Sequence, residues 1–278
     1  MPELPEVRAQ AHRLGEHFRG RLLDRFEALS FTALKTFDPP PDAARGLALS
    51  SVGSRGKHLL VGFEPYTFVV HLMQGGRLEP DVKQAAKPRG CLARWRFGDG
   101  SALLLTEAGR EHRAGVWVLE GPVEGRSPLD DLGPEADEIA VDDLAMRLAA
   151  SSTRLHGFLR DQRQLAGLGR RLANEVCHRA KLSPFASTRK LTEESVVALG
   201  AAIGAAIAES LEYKAGQHHM TRSAERPARV HHRAGEPCPE CGDVVRAVSY
   251  NAYTVNYCAT CQTGGKILAD NTTSRFLK

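Results

Sequence analysis

The sequence predicts a two-domain α+β protein on three observations. Short apolar runs broken by glycine and proline extend to about residue 125, helical periodicity follows, and four cysteines close the chain in two tight pairs. A chain of 278 residues can bury about two cores. Hydrophobic residues at 42% and charged residues at 25% are ordinary for a soluble globular protein. No apolar run of membrane length is expected, and the N-terminus carries charges where a signal peptide would be apolar, so the expected location is the cytoplasm. A net charge of +4 permits an anionic partner without requiring one.

The first element opens with "MPELPEVRAQ". Pro5 suits the first turn of a helix and Glu6 its positive end. Val7, Ala11, Leu14 and Phe18 form one apolar stripe, while Arg8, Gln10, Arg13 and Glu16 fall elsewhere. Pro2 and Glu3 lie upstream and make no obvious cap. "GKHLLVGFE" and "FVVHLM" are short strand-like runs, and "CLARWRFGDGSALLL" alternates before a turn at Gly98-Asp99-Gly100, the pattern of an antiparallel hairpin. "TFDPPPDAARG" is a surface loop, because three prolines in a row exclude a central strand. After "EGPVEGRSPL" come the helical segments "VDDLAMRLAA", "TRLHGFLRDQ", "GRRLANEVCHRAKL" and a long one from Thr192, its expected N-cap, to Gly216, its expected stop. The expected boundaries are 1–125, 126–216, a mobile basic loop at 217–236, and a cysteine module at 237–278.

In that module Cys238 and Cys241 are separated by two residues, and sixteen residues later Cys258 and Cys261 repeat the spacing. Two such knuckles on a hairpin bring four thiolates around one Zn²⁺. No fifth ligand leaves an open position, so the metal is expected to be structural and its removal to unfold the module. Cys91 and Cys177 lie alone in apolar patterns and read as small core residues.

"PELPEV" after Met1, "SRGKHLL", "AGLGRRLANE", "VHHRAGEPCPECG" and "YCATCQTGGK" occur here in one order. Together they resemble the formamidopyrimidine-DNA glycosylase and endonuclease VIII family. The resemblance implies an N-terminal helix with an antiparallel β-sandwich, then a helix-two-turn-helix domain, then a zinc finger on a β-hairpin. It implies a DNA repair glycosylase with abasic-site lyase activity, working as a monomer near the nucleoid on DNA with damaged bases or abasic sites. By the same resemblance Pro2, freed of Met1, is the nucleophile, Glu3 moves protons, and Lys57 contacts the phosphate beside the lesion. Glu6 and His71 also fall at family positions, His71 on the DNA-binding side.

Several positions depart from the family pattern. After Gly169 of the helix-two-turn-helix signature the family has a phosphate-binding asparagine, then an aromatic residue; this chain has Arg170 and Leu172. Five residues before Cys258, in place of the finger arginine, stands Tyr253, which weakens the contact or moves it to a residue such as Arg246. Gln74 aligns with the methionine that fills the void left by the extruded base. Arg110 and His112 are the candidates for contacting the orphaned base. These departures imply an atypical lesion preference, and they keep open a non-catalytic damaged-DNA-binding protein of the same fold.

Overall fold

The computed structural model describes residues 1–86, 88–108, 112–220, 223–250 and 253–268. The chain divides into two compact units, Met1–Asp131 with Tyr213–Ser223, and Leu132–Glu212 with Ala224–Lys278.

In the first unit, helix α1 (Leu4–Phe18) buries Val7, Ala11, Leu14 and Phe18, as their spacing predicts. Gln10 is buried too, against expectation, because its side-chain amide donates to the Leu78 carbonyl at 2.7 Å and accepts from Arg13 at 3.1 Å. Among the described residues eight strands follow: β1 (Leu23–Ala28), β2 (Ser51–Arg55), β3 (His58–Phe63), β4 (Tyr66–His71), β5 (Gly76–Pro80), β6 (Cys91–Phe97), β7 (Ala102–Glu107) and β8 (Gly115–Glu120). They form two four-stranded antiparallel sheets, ordered β1-β6-β7-β5 and β2-β3-β4-β8. One apolar core joins the α1 stripe to side chains of both, among them Phe26, Phe63, Phe68 and Trp95, which makes a β-sandwich. The Gly98–Gly100 turn joins β6 to β7 as expected. Arg94 of β6 does not face solvent. It is 1% exposed and donates to Asp81 at 2.8 Å and Glu27 at 3.4 Å.

The second unit carries helices α2 (Val141–Ala150), α3 (Leu155–Arg160), α4 (Arg170–Arg179) and most of α5 (Glu193–Ala215), then the hairpin β9 (Val245–Ser249) and β10 (Thr254–Cys258) and the short α6 (Ala259–Thr263). The Thr192 hydroxyl accepts the Ser195 N–H at 3.2 Å, capping α5, which stops before Gly216. Contrary to the expectation from the sequence, α5 is long and apolar enough to cross a membrane by length and composition. Its buried Val196, Leu199, Ala202, Ile203, Ala206 and Ile207 recur at three and four residues, the stripe of a core helix. Described residues of the basic segment make defined contacts. Met220 joins the sandwich core, and the Glu175 carboxylate of α4 accepts the N–H groups of Arg229, Val230 and His231 at 2.8, 3.1 and 2.8 Å.

Candidate functional site

The N-terminus of α1 is fastened by acidic side chains. Pro2 is buried and Met1 exposed. Glu3 is the N-cap, a role its sequence position did not reveal. The Glu6 carboxylate accepts the Glu3 N–H at 2.8 Å, and the Glu3 carboxylate faces the Glu6 N–H, the reciprocal arrangement of a capping box. The second Glu6 oxygen lies 3.4 Å from Lys214 Nζ, and both side chains are fully buried. A carboxylate this deep needs such a partner, since its desolvation is otherwise uncompensated. Lys214, from the end of α5, thereby steadies the cap next to Pro2.

Lys57 lies in the tight turn with Gly56 that joins β2 to β3, rather than on a strand, and its side chain is buried. Next to it, His58 of β3 pairs across the sheet with His71 of β4, ring centroids 4.6 Å apart. Burial, followed by the facing His71 ring, lowers the His58 pKa to about 3. Burial, followed by the Lys57 charge, lowers that of His71 to about 4. The neutral His71 ring accepts the Met73 N–H on Nδ1 at 3.1 Å. That bond braces the turn after β4, where Gln74 is exposed at the tip. The turn closes with the Gly76 N–H on the Leu72 carbonyl at 2.8 Å, and a Cβ on Gly76 would stand 2.1 Å from that oxygen, so only glycine fits. A second loop leaves the sheet beside it. The Ala108 N–H donates to the Gly75 carbonyl at 3.2 Å, and the Glu107 carboxylate accepts the Ala114 N–H at 2.7 Å, closing the loop base. His112 in this loop is half-buried, and Arg110 lies outside the described residues. The turn that carries Gln74 is thus hydrogen-bonded to Ala108, at the base of the loop that carries His112.

In the second unit Gly167 adopts the left-handed φ of 99°, and Gly169 caps α4, whose first residue is Arg170. Gln162, which sequence reasoning passed over, holds this turn. Its oxygen accepts the Gly167 N–H at 3.0 Å, and its amide donates to the Arg160 and Leu168 carbonyls at 2.9 and 2.8 Å. Leu172 is buried in the core, where an apolar chain belongs. Arg171 is buried and donates to the Arg226 carbonyl, while Arg226 donates to Ser210. His156 of α3 is buried; desolvation lowers its pKa to about 3, with the Arg160 charge the next cause. Tyr253 stacks with Tyr250 at 4.8 Å and His156 at 6.1 Å, and the Arg160 guanidinium lies 4.3 Å from its ring centroid. Arg246 faces Asp243 at 3.8 Å.

The four paired cysteines converge. Their Sγ atoms all lie within 4.8 Å of one another, with 3.9 Å from Cys238 to Cys261 and 3.4 Å from Cys241 to Cys258. Four thiolates about 2.3 Å from a tetrahedral metal stand about 3.8 Å apart, so the donor set fits a metal ion. Gly242 at φ 77° turns the first knuckle, and its N–H donates to the Cys238 carbonyl at 2.9 Å. Gln262 of α6 accepts the Cys258 N–H at 2.8 Å, and His178 of α4 places Nε2 3.2 Å from Cys238 Sγ. Cys91 and Cys177 are buried elsewhere, and burial pushes the Cys177 thiol up, which leaves it inert.

Two family descriptions match the chain, the formamidopyrimidine-DNA glycosylase N-terminal domain over residues 1–113 and the formamidopyrimidine-DNA glycosylase H2TH domain over residues 132–222. The chain belongs to the formamidopyrimidine-DNA glycosylase family. It is therefore placed among the glycosylases of DNA repair. An uncharacterized formamidopyrimidine-DNA glycosylase-like protein of Mycobacterium tuberculosis is 42% identical over 149 residues, which is 53% of this chain and 94% of that one. The formamidopyrimidine-DNA glycosylase of Symbiobacterium thermophilum is 32% identical over 94% of this chain and 89% of its own length. Among solved structures, the Lactococcus lactis Fpg protein complexed with THF-DNA and an inhibitor superposes with a TM-score of 0.84 at 21% identity, over 94% of this chain and 100% of that one. MutM in complex with DNA containing carbocyclic 8-oxo-G gives 0.83 at 20% identity, over the same shares. Within the glycosylase family's own domain order, the α1 cap, Lys57 and Gln74 fall in the N-terminal domain, the Gly169-Arg170 turn in the H2TH domain, and the four-cysteine hairpin beyond both matched ranges.

Proposed function

We propose that this glycosylase is bifunctional, excising a damaged base from DNA and then cleaving the strand, with Pro2 as nucleophile, acting as a cytoplasmic monomer. The observation that carries the reading is the fastened N-terminus, in which Pro2 stands directly before a helix cap held by Glu6 and Lys214. Once Met1 is removed, Pro2 is a secondary amine, and the positive end of α1 disfavours its protonation. Its nitrogen lone pair attacks the sugar C1′, and the C1′–N bond to the base breaks, the base leaving with a proton. Opening of the sugar ring, with a proton delivered to O4′, gives an iminium between Pro2 and C1′. The iminium acidifies the C2′ proton, whose loss expels the 3′ phosphate, and water then releases Pro2. Glu3 is the nearest carboxylate in sequence for these proton transfers. Lys57 and Arg170 hold phosphates. Cys238, Cys241, Cys258 and Cys261 hold one Zn²⁺, which when bound supplies folding energy rather than chemistry.

Lesion choice follows from the side chains at the reading positions. Gln74 at its exposed turn brings an amide rather than an apolar filler, and Tyr253 brings no charge of its own. The enzyme should therefore excise 8-oxoguanine poorly while acting readily on abasic DNA, which needs no base recognition. Borohydride trapping with protein of verified N-terminus tests this. The wild type should form a covalent adduct with abasic DNA and Pro2→Gly should lose most of it. Absence of an adduct from protein with a free Pro2 would leave the non-catalytic binder, and efficient 8-oxoguanine release would remove the argument for an atypical preference.

A further inference from the structure

We infer that Arg160, whose guanidinium carbon lies over the Tyr253 ring, is the residue that puts positive charge on a DNA phosphate at this part of the second unit; the inference rests on the DNA-binding reading above. Position 253 carries a neutral phenol, yet the fold delivers a guanidinium to it from a different element. Arg160 ends α3, is half-exposed, and stands 4.3 Å from the Tyr253 ring centroid. A guanidinium stacked on an aromatic face is attracted by the ring quadrupole while its in-plane N–H donors stay available. Those donors match a phosphate in a fork that an ammonium cannot reproduce.

Several other arginines of the second unit are already committed. Arg171 and Arg226 are buried on backbone and hydroxyl partners. Arg229 pairs with Glu240, Arg233 with Glu236, Arg179 with Glu209, and Arg246 faces Asp243. Among the described residues, Arg160 pairs with no carboxylate. After burial, the charge of Arg160 and, less strongly, that of Arg170 disfavour protonation of His156. That ring is 3% exposed, its Nε2 has no hydrogen-bond partner among the described residues, and it stays neutral. Arg170 also opens α4, whose first N–H groups favour an anion. The Arg160 guanidinium thus carries a positive charge that no carboxylate among the described residues pairs with, and a phosphodiester would supply that partner. Tyr253 is then a positioning residue for Arg160.

Binding of a duplex carrying a tetrahydrofuran abasic analogue, measured over a range of salt, tests the inference. Arg160→Gln should flatten the log–log salt dependence by about 0.9, the contribution of one released counterion. Arg160→Lys should keep most of the slope while weakening binding. Tyr253→Leu should weaken binding by removing the platform, and Tyr253→Phe, which keeps the ring, should restore it. A wild-type slope in Arg160→Gln overturns the inference. So does an equal loss of slope in the Gln and Lys variants, which would mean lost packing, or a Tyr253→Phe variant as weak as Tyr253→Leu, which would put the contact on the hydroxyl. A wild type that shows no salt-dependent binding overturns the DNA-binding reading itself, and the inference with it.

Discussion

His58 and His71 show how burial decides what a side chain can do. In an unfolded chain both rings would titrate near 6.5, whereas in the folded protein they stay neutral down to about 3 and about 4. Between those values the unfolded form binds more protons, so their contribution to stability is present above about pH 6.5 and is lost as pH falls toward 4. His156 and His231, each lowered to about 3 by burial first, act in the same direction in the second unit. Urea unfolding should therefore show a decline in stability between roughly pH 6.5 and 4, and the double substitution His58→Asn, His71→Asn should remove the share of the first unit. A flat profile in the wild type would mean that these rings are not held neutral. The neutral state also matters for the site, because only an unprotonated His71 Nδ1 can accept the Met73 N–H and hold the turn that presents Gln74.

At the scale of elements, the cysteine module is the part on which the sequence was most legible. Its ligands are set by two short gaps and one hairpin, all local, and the four sulfurs meet as the spacing predicts. Chelation should release one zinc per chain and melt β9 and β10, since metal binding of this kind contributes about 10–16 kcal/mol to folding. It should also loosen α4, whose His178 touches Cys238. Hydrogen exchange on the metal-free protein checks both, and an ordered hairpin without metal would refute the structural role. The apolar stripe of α1 and the Gly98–Gly100 hairpin were equally readable, because periodicity and turn chemistry are local. Arg94 was not. Its place in the alternation says nothing of burial, and Asp81 and Glu27 cover it with carboxylates that no pattern within β6 announces. Arg160 was hidden for the same reason, since its meaning comes from a ring on a distant hairpin.

At the scale of the whole molecule, the first unit is discontinuous in sequence, built from Met1–Asp131 and Tyr213–Ser223. The returning segment contributes Lys214 to the buried Glu6 pair and Met220 to the sandwich core. Breaking a buried pair by losing one partner costs about 3–5 kcal/mol, a large share of the stability of a single domain. A fragment of residues 1–131 should therefore exchange the α1 amides much faster than the full chain does, by mass spectrometry of both. Equal protection would show that the pair is dispensable. The same discontinuity sets a clock during synthesis. A ribosome adding about 5–20 residues per second reaches position 214 some 10–40 s after position 6. For that interval the nascent N-terminus is exposed to processing but lacks the lysine that fastens it. The N-terminal cap is thus completed late, when roughly three quarters of the polypeptide has been made.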